Sequence, residues 1–352
     1  MQRRSGSFDT DYRPERVTTP RGADEELQAE VSRFNDLQDK LALADVRTQL
    51  ADLDTTVANL PAGIQTLRDR GYVFKSYLAK KSETLATQWR DLRPRVEAAL
   101  QNQLPVLQRQ ATNVQMILQR GSKAGPALST LESQVEAAIH SLEAMYKPLQ
   151  ENANQTKHQV EDVTWTLQQA EQASFSFLAT EAPMEAVPAN WKKPDDKDGV
   201  DGVLYLTDMR LIFEQKEEVA TKKVLFVATQ KQKLQALQWA VPVAEIEKAE
   251  GSKRGFLGKD DFLTLTLSTG RPFRSTDLHL KGETGEAWQG YVGRAKSGDI
   301  AKERTVPVDQ KAVEVASNAP TKCTVCGATL TQTVLRGQTE ITCEYCGSKI
   351  RL

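Results

Sequence analysis

Between residue 23 and about residue 177 the apolar side chains recur at intervals of three and four. Val46, Leu50, Leu53, Val57 and Leu60 make one stripe, and Leu67, Phe74, Leu78, Leu85, Trp89, Leu92, Val96 and Leu100 make a second. Leu128, Leu131, Val135, Ile139, Leu142, Leu149, Val160, Val163 and Leu167 form a third. Such spacing places the side chains on one helix face and is the seam pattern of a coiled coil. Turn-forming residues interrupt it at Leu60-Pro61-Ala62-Gly63 and again at 121–126, where Gly121, Gly125 and Pro126 stand. Residues 23–178 are therefore expected to be an antiparallel, three-helix coiled-coil region with helices of roughly 38, 58 and 52 residues.

Those lengths have a consequence. At ~1.5 Å per residue the helices run about 57, 87 and 78 Å, so the first cannot cover the whole hairpin made by the other two. Leu107, Val114, Leu131 and Val135, near the Gly121 turn, would then lack a third helix. They are the expected interaction surface, open to a second copy of the chain or to a protein partner. The alternative is a second helix that breaks at Pro94 or Pro105 and folds back, with Asp91 as its cap.

After Phe177 the period changes from 3.5 to 2. Gly202-Val203-Leu204-Tyr205-Leu206-Thr207 and Met209-Arg210-Leu211-Ile212-Phe213 read as two strands about a turn at Thr207-Asp208. Leu237, Trp239 and Val241 alternate with polar positions, as do Leu263, Leu265 and Leu267 before a hairpin turn at 268–271. Trp288, Val292 and Ala295 then return to helical spacing over 283–296. Strands in succession closed by one helix predict a small open barrel with that helix in its mouth. These residues resemble the bacterial pleckstrin-homology-like and GRAM domains over about 179–297, with Val241-Pro242 and Gly255-Phe256-Leu257-Gly258 in the later strands and loop. The resemblance implies the barrel and a Trp288 that plugs it. The nearest basic cluster to the first hairpin, Thr221-Lys222-Lys223, lies further on than lipid-binding members place theirs.

Charge and chemistry narrow the function. The 352 residues carry a net charge of −1 with 26% charged residues, so no global field draws the chain to nucleic acid or anionic membrane. Residues 1–22 are polar and glycine-containing and predict a disordered arm; five arginines against three acids leave it only weakly basic. Neither a signal-peptide core nor an apolar run of ~20 residues is present, which predicts a cytoplasmic protein. Three histidines, His140, His158 and His279, have no serine or carboxylate at triad spacing, and a non-enzyme is expected. Gly258-Lys259 fails as a phosphate loop because Asp260 follows the lysine. The acidic run 195–202 is superficially similar to a calcium loop but its carboxylates miss the alternating positions.

Two segments survive this filter. Lys253, Arg254 and Lys259 flank Phe256 and Leu257, a candidate lipid- or partner-binding loop. Asp260 and Asp261 blunt its field, which favours instead an ordinary barrel turn with Phe256 or Leu257 in the core. All four cysteines stand as Cys323-Thr324-Val325-Cys326-Gly327 and Cys343-Glu344-Tyr345-Cys346-Gly347. Two C-x-x-C pairs supply the four thiolates that Zn²⁺ prefers, and four filled positions make the site structural. Residues 321–352 resemble a small zinc ribbon of the transcription-factor type, and polar residues 298–320 are expected to tether it flexibly. Four cations, Lys322, Arg336, Lys349 and Arg351, against Glu340 and Glu344 give the ribbon +2, which the −2 of a tetrathiolate zinc cancels. Nucleic-acid affinity rests on phosphate contacts, so protein contact is favoured over RNA or DNA.

The fold class expected is α+β multidomain: coiled coil, pleckstrin-homology-like barrel with a C-terminal helix, and zinc ribbon. The corresponding role is a non-enzymatic adaptor or scaffold, cytoplasmic, with the inner membrane face as the surface a peripheral contact would use. The alternative is a nucleic-acid-associated regulator acting through the ribbon.

Overall fold

Three links interrupt the helical region where the spacing suggested two. The computed structural model of the chain describes residues 16–192, 199–224 and 227–352, with the side chains of 218–232 outside the description. Helix α1 spans Glu25–Leu41, α2 Ala44–Asp69, α3 Tyr77–Gln119 and α4 Gly125–Glu171. The break expected at Leu60-Pro61-Ala62-Gly63 does not occur, and Pro61 lies inside α2. Gly63 serves packing instead: a Cβ there would stand 3.2 Å from Val160 Cγ1. The helix ends at Asp69, before Gly71 at φ +83°, and Tyr72 and Phe74 leave it for another core. Phe74 follows Leu67 by seven residues and precedes Leu78 by four, so it matched the helical stripe while standing in a non-helical link. Pro94 and Pro105 both lie within α3, which does not fold back at either.

The chain forms two compact units, one made of the residues up to Ala62 with Ala79–Lys157, the other of Gly63–Leu78 with His158–Leu352. In the first unit the later break closes the tip. Helices α1 and α2, of 17 and 26 residues, together match the 43 of α3. Leu107, Val114, Leu131 and Val135 are each at most 1% exposed, in one core with Val31, Phe34 and Leu37 of α1. Lys123 pairs with Asp24 at 3.0 Å and with Glu26, while Arg33 pairs with Glu132. Glu30 is buried and accepts the Ala124 amide at 2.6 Å, a carboxylate at the amide-rich start of α4. The uncovered interaction surface expected at these four residues is therefore absent, because α1 of the same chain covers it. The arm is corrected in part as well: residues 1–15 lie outside the described residues, but Val17 is buried and its amide donates to Asn35 Oδ1 at 3.0 Å.

With the seam closed internally, Leu131→Ala is expected to lower stability by about 2–5 kcal/mol. The helical circular-dichroism transition should shift down while the mass by light scattering stays constant. A fall in mass with stability unchanged would restore the interface reading.

The second unit is built on a seven-stranded antiparallel sheet. Its strands are β1 Pro183–Lys192, β2 Val200–Thr207, β3 Arg210–Val224, β4 Val227–Pro242, β5 Ile246–Arg254, β6 Asp260–Leu267 and β7 Ser275–Leu280. Their order is β4-β3-β2-β1-β7-β6-β5, with β1 bridging the halves by pairing with β2 and, through 189–192, with β7. Helix α5, Gly285–Ser297, is capped by Thr284 and packs on β5 and β6. It buries Trp288, Val292 and Ala295 in a core shared with Leu204, Leu206, Leu263, Leu265 and Leu278. Val203, Tyr205 and Ile212 meet Trp165 and Phe175 on the other face. Because β2 is covered on both faces, residues 203–206 are continuously apolar rather than alternating.

The stretch expected to be a flexible tether is largely pinned. Ile300 is buried, Arg304 pairs with Asp208 at 2.6 Å, and the Thr305 amide donates to the Val73 carbonyl at 2.7 Å. A short helix, α6, follows at Gln310–Ser317, and strands β8 Glu340–Thr342 and β9 Lys349–Arg351 pair at the end of the chain.

Candidate metal centre and exposed apolar surfaces

Each C-x-x-C pair folds into the same small turn. The Cys323 amide donates to the Ala328 carbonyl and the Gly327 amide to the Cys323 carbonyl, at 2.8 and 2.9 Å. Cys343, Ser348 and Gly347 repeat the arrangement at 2.9 and 2.8 Å. Gly327 and Gly347 both adopt φ +73°, the left-handed region where a Cβ is strained, so glycine lets the chain turn back under the sulfurs. Cys323 and Cys343 are buried with Ile350, while Cys326 and Cys346 lie at the surface.

The four sulfurs lie within 4.8 Å of one another and could hold a metal ion such as zinc. Cys323 and Cys346 are 3.7 Å apart, as are Cys326 and Cys343. No disulfide joins them, since that bond needs ~2.05 Å. A tetrahedron with Zn–S of ~2.3 Å has edges of ~3.8 Å, close to the separations found. The thiols perturb one another at this spacing. Amides of Cys326 and Val325 hold the Cys323 thiol below its ordinary range, and Ser348 lowers that of Cys346 to about 6. The Ala328 amide pulls Cys326 down, but the sulfurs of Cys346 and Cys323 outweigh it and push that thiol up to about 12. A bound cation would hold all four as thiolates, since a coordinating thiol is deprotonated.

The ribbon does not hang free of the sheet unit. Leu178 and Leu335 form an antiparallel bridge, and the Ala179 amide donates to the Val334 carbonyl at 3.0 Å. Arg336 places its guanidinium 5.3 Å from the Phe177 ring centre and donates to the Glu181 carbonyl. This leaves fewer free cations than the sequence count suggested, because Lys349 pairs with Glu340 at 2.5 Å. What the ribbon does present is apolar. Val325 and Tyr345, at the third position of the two cysteine turns, are 70% and 77% exposed. Sequence reading passed over both, although the positions between two ligands of such a turn point away from the metal.

The β5–β6 hairpin overturns its favoured reading. Phe256 and Leu257 are 84% and 77% exposed and neither enters the core. Lys253, Arg254 and Lys259 are exposed around them. Arg254 is the one engaged, with Asp277 at 2.8 Å and over the Phe262 ring at 4.8 Å. The lysine pair in Thr221-Lys222-Lys223 and the acidic run from 195 cannot be placed in the same way, since those side chains lie outside or partly outside the described residues.

The histidines stay apart. His140 is exposed, His158 pairs with Glu161 at 3.1 Å, and His279 stacks on Phe262 at 4.9 Å. Among the described residues, no helix is long and apolar enough to cross a membrane.

No family model matches this chain, and no curated protein matches it in sequence. Among solved structures it is similar to the Vps36 N-terminal PH domain, at 13% identity and a TM-score of 0.23, over 36% of this chain and 94% of that one. It is also similar to the DH/PH domains of p115-RhoGEF, at 11% identity and TM-score 0.24, covering 80% of this chain and 88% of that one. Autoinhibited Vav1 matches at 11% identity and TM-score 0.24, over 94% and 68%. Likeness at this level carries no argument about function.

Proposed function

We propose that this chain is a non-enzymatic adaptor that recruits a protein partner through a C-terminal ribbon clasped by one structural zinc. The observation that carries the reading is the pair Val325 and Tyr345, each at least 70% exposed on a turn held between two metal ligands. Apolar side chains so displayed on a rigid frame are costly in water and lose little entropy on contact. Tyrosine in particular is enriched in interface hot spots. Zinc bound by Cys323, Cys326, Cys343 and Cys346 supplies folding energy here and offers no open coordination position for chemistry. The seven-stranded unit with Trp288 at its helix is read as a pleckstrin-homology-like docking module. The strand order and the closing α5 support that reading.

The ribbon's near-neutral charge, with Lys349 and Arg336 already engaged, favours protein over RNA or DNA. Purification of the tagged chain from its host, with mass spectrometry of protein and sequencing of nucleic acid, tests this. A stoichiometric protein retained after nuclease treatment is expected. Recovery of nucleic acid, with any protein lost on nuclease treatment, would establish the regulator reading instead.

A further inference from the structure

We infer that the tip of the β5–β6 hairpin docks on an anionic bilayer surface, with Phe256 and Leu257 at the acyl boundary and Lys253 and Lys259 on headgroup phosphates. The inference goes beyond recruitment by the ribbon, and rests on the adaptor reading for the role of the sheet unit as its docking part. Hairpin tips ordinarily carry small polar residues. Here two adjacent large apolar side chains are 84% and 77% exposed. Leu257 holds φ +60°, a left-handed conformation unusual for a residue with a side chain, and the Gly258 amide closes the turn onto the Gly255 carbonyl at 3.2 Å. The apolar pair is thus displayed by an ordered turn.

Charge selects the occupant. Of the neighbouring acids, Asp261 accepts the Gly285 amide at 3.1 Å, while the Asp260 side chain, 47% exposed, stands beside Gly255 and 3.8 Å from His279. Asp277 is taken by Arg254. Lys253 and Lys259 are exposed and, among the described residues, have no ion pair, so two free cations stand against the one half-exposed carboxylate of Asp260 and the balance at the tip is positive. A protein groove could take Phe256 and Leu257 alone. Unpaired lysines on either side of an apolar pair match a surface that is anionic outside and apolar within.

Flotation of the full chain with vesicles of phosphatidylcholine, with or without phosphatidylglycerol, tests this. The wild type should float with the phosphatidylglycerol vesicles only, and release as salt rises. Lys253→Gln with Lys259→Gln should weaken partitioning roughly thirtyfold, from a few-fold per lysine. Phe256→Ala with Leu257→Ala should weaken it roughly tenfold or more, and both double variants should melt like wild type because the residues are exposed. A wild type that floats with neither vesicle, or a Phe256→Ala/Leu257→Ala chain that floats unchanged, overturns the inference. Capture of a protein lost in that variant, with no flotation by wild type, would assign the tip to a protein groove. Val325→Glu with Tyr345→Glu should float normally. If flotation holds while no ribbon-dependent capture is found, the adaptor reading falls and the membrane contact stands.

Discussion

Cys343→Ser is expected to take the zinc content of the purified chain from one per chain to none and to unfold residues 321–352. Structural zinc in small domains contributes on the order of 10–16 kcal/mol of binding free energy at neutral pH, which in such modules is the folding free energy. The ribbon has a small apolar core: Ile350 clusters with the buried cysteines and the half-buried Ala328 and Leu330, and Val334 and Ile341 are its other buried apolar side chains. Cys343 is 1% exposed and belongs to that cluster. A hydroxyl there is a poor ligand for zinc, and three thiolates hold the ion far less tightly. Limited proteolysis should then cut within 321–352, while the helical signal and the sheet unit's transition persist. Contacts of Arg336 with Phe177 and Glu181 would be lost with the ribbon, so the sheet unit should melt slightly earlier. Wild-type protein prepared without chelator that carries no zinc would contradict the metal assignment.

Trp288→Ala should cost about 3–5 kcal/mol in the sheet unit, the range for deleting a large buried aromatic. Trp288 is 1% exposed, among the largest fully buried side chains, and its ring meets Tyr291 edge-on at 6.3 Å. It lies in the first turn of α5, where the helix packs on β5 and β6. Removing it leaves a cavity that neither strand can close, because their register is fixed by unbroken pairing from Lys248 to Arg254 against Asp260 to Thr266. Near-ultraviolet dichroism should lose its cooperative transition at a lower temperature. The helices of the first unit should unfold as before. A silent substitution would mean that α5 does not close the sheet.

What the sequence discloses depends on how local the cause is. The cysteine cluster could be read directly, since metal-ligand spacing and the glycine after each pair are encoded within a few residues. Trp288, Val292 and Ala295 were equally legible, because one helical period places them on one face. The first helix was misjudged because Pro61 and Gly63 carry the same local signal whether they end a helix or pack within it. Only the approach of Val160, nearly a hundred residues away, distinguishes the two. Phe74 kept helical spacing by coincidence while the core of the sheet unit claimed it. Phe256 and Leu257 were ambiguous for a different reason. Lys253, Arg254 and Lys259 around them suit a surface loop, but Asp260 and Asp261 next to the strand at Leu263, Leu265 and Leu267 suit a barrel turn, and the outcome depends on where the pairing of β5 and β6 stops. The grip of Arg336 on Phe177 has no local signal at all, since it joins residues far apart in the chain.

The adaptor account turns on the ribbon's exposed turns, and one comparison addresses them directly. Wild type and the Val325→Glu/Tyr345→Glu variant, both tagged and purified from the host, are compared by quantitative mass spectrometry with zinc measured in each. The account predicts equal zinc, equal melting, and a specific protein partner captured by wild type and lost from the variant. A partner captured equally by both, with zinc retained, would contradict it.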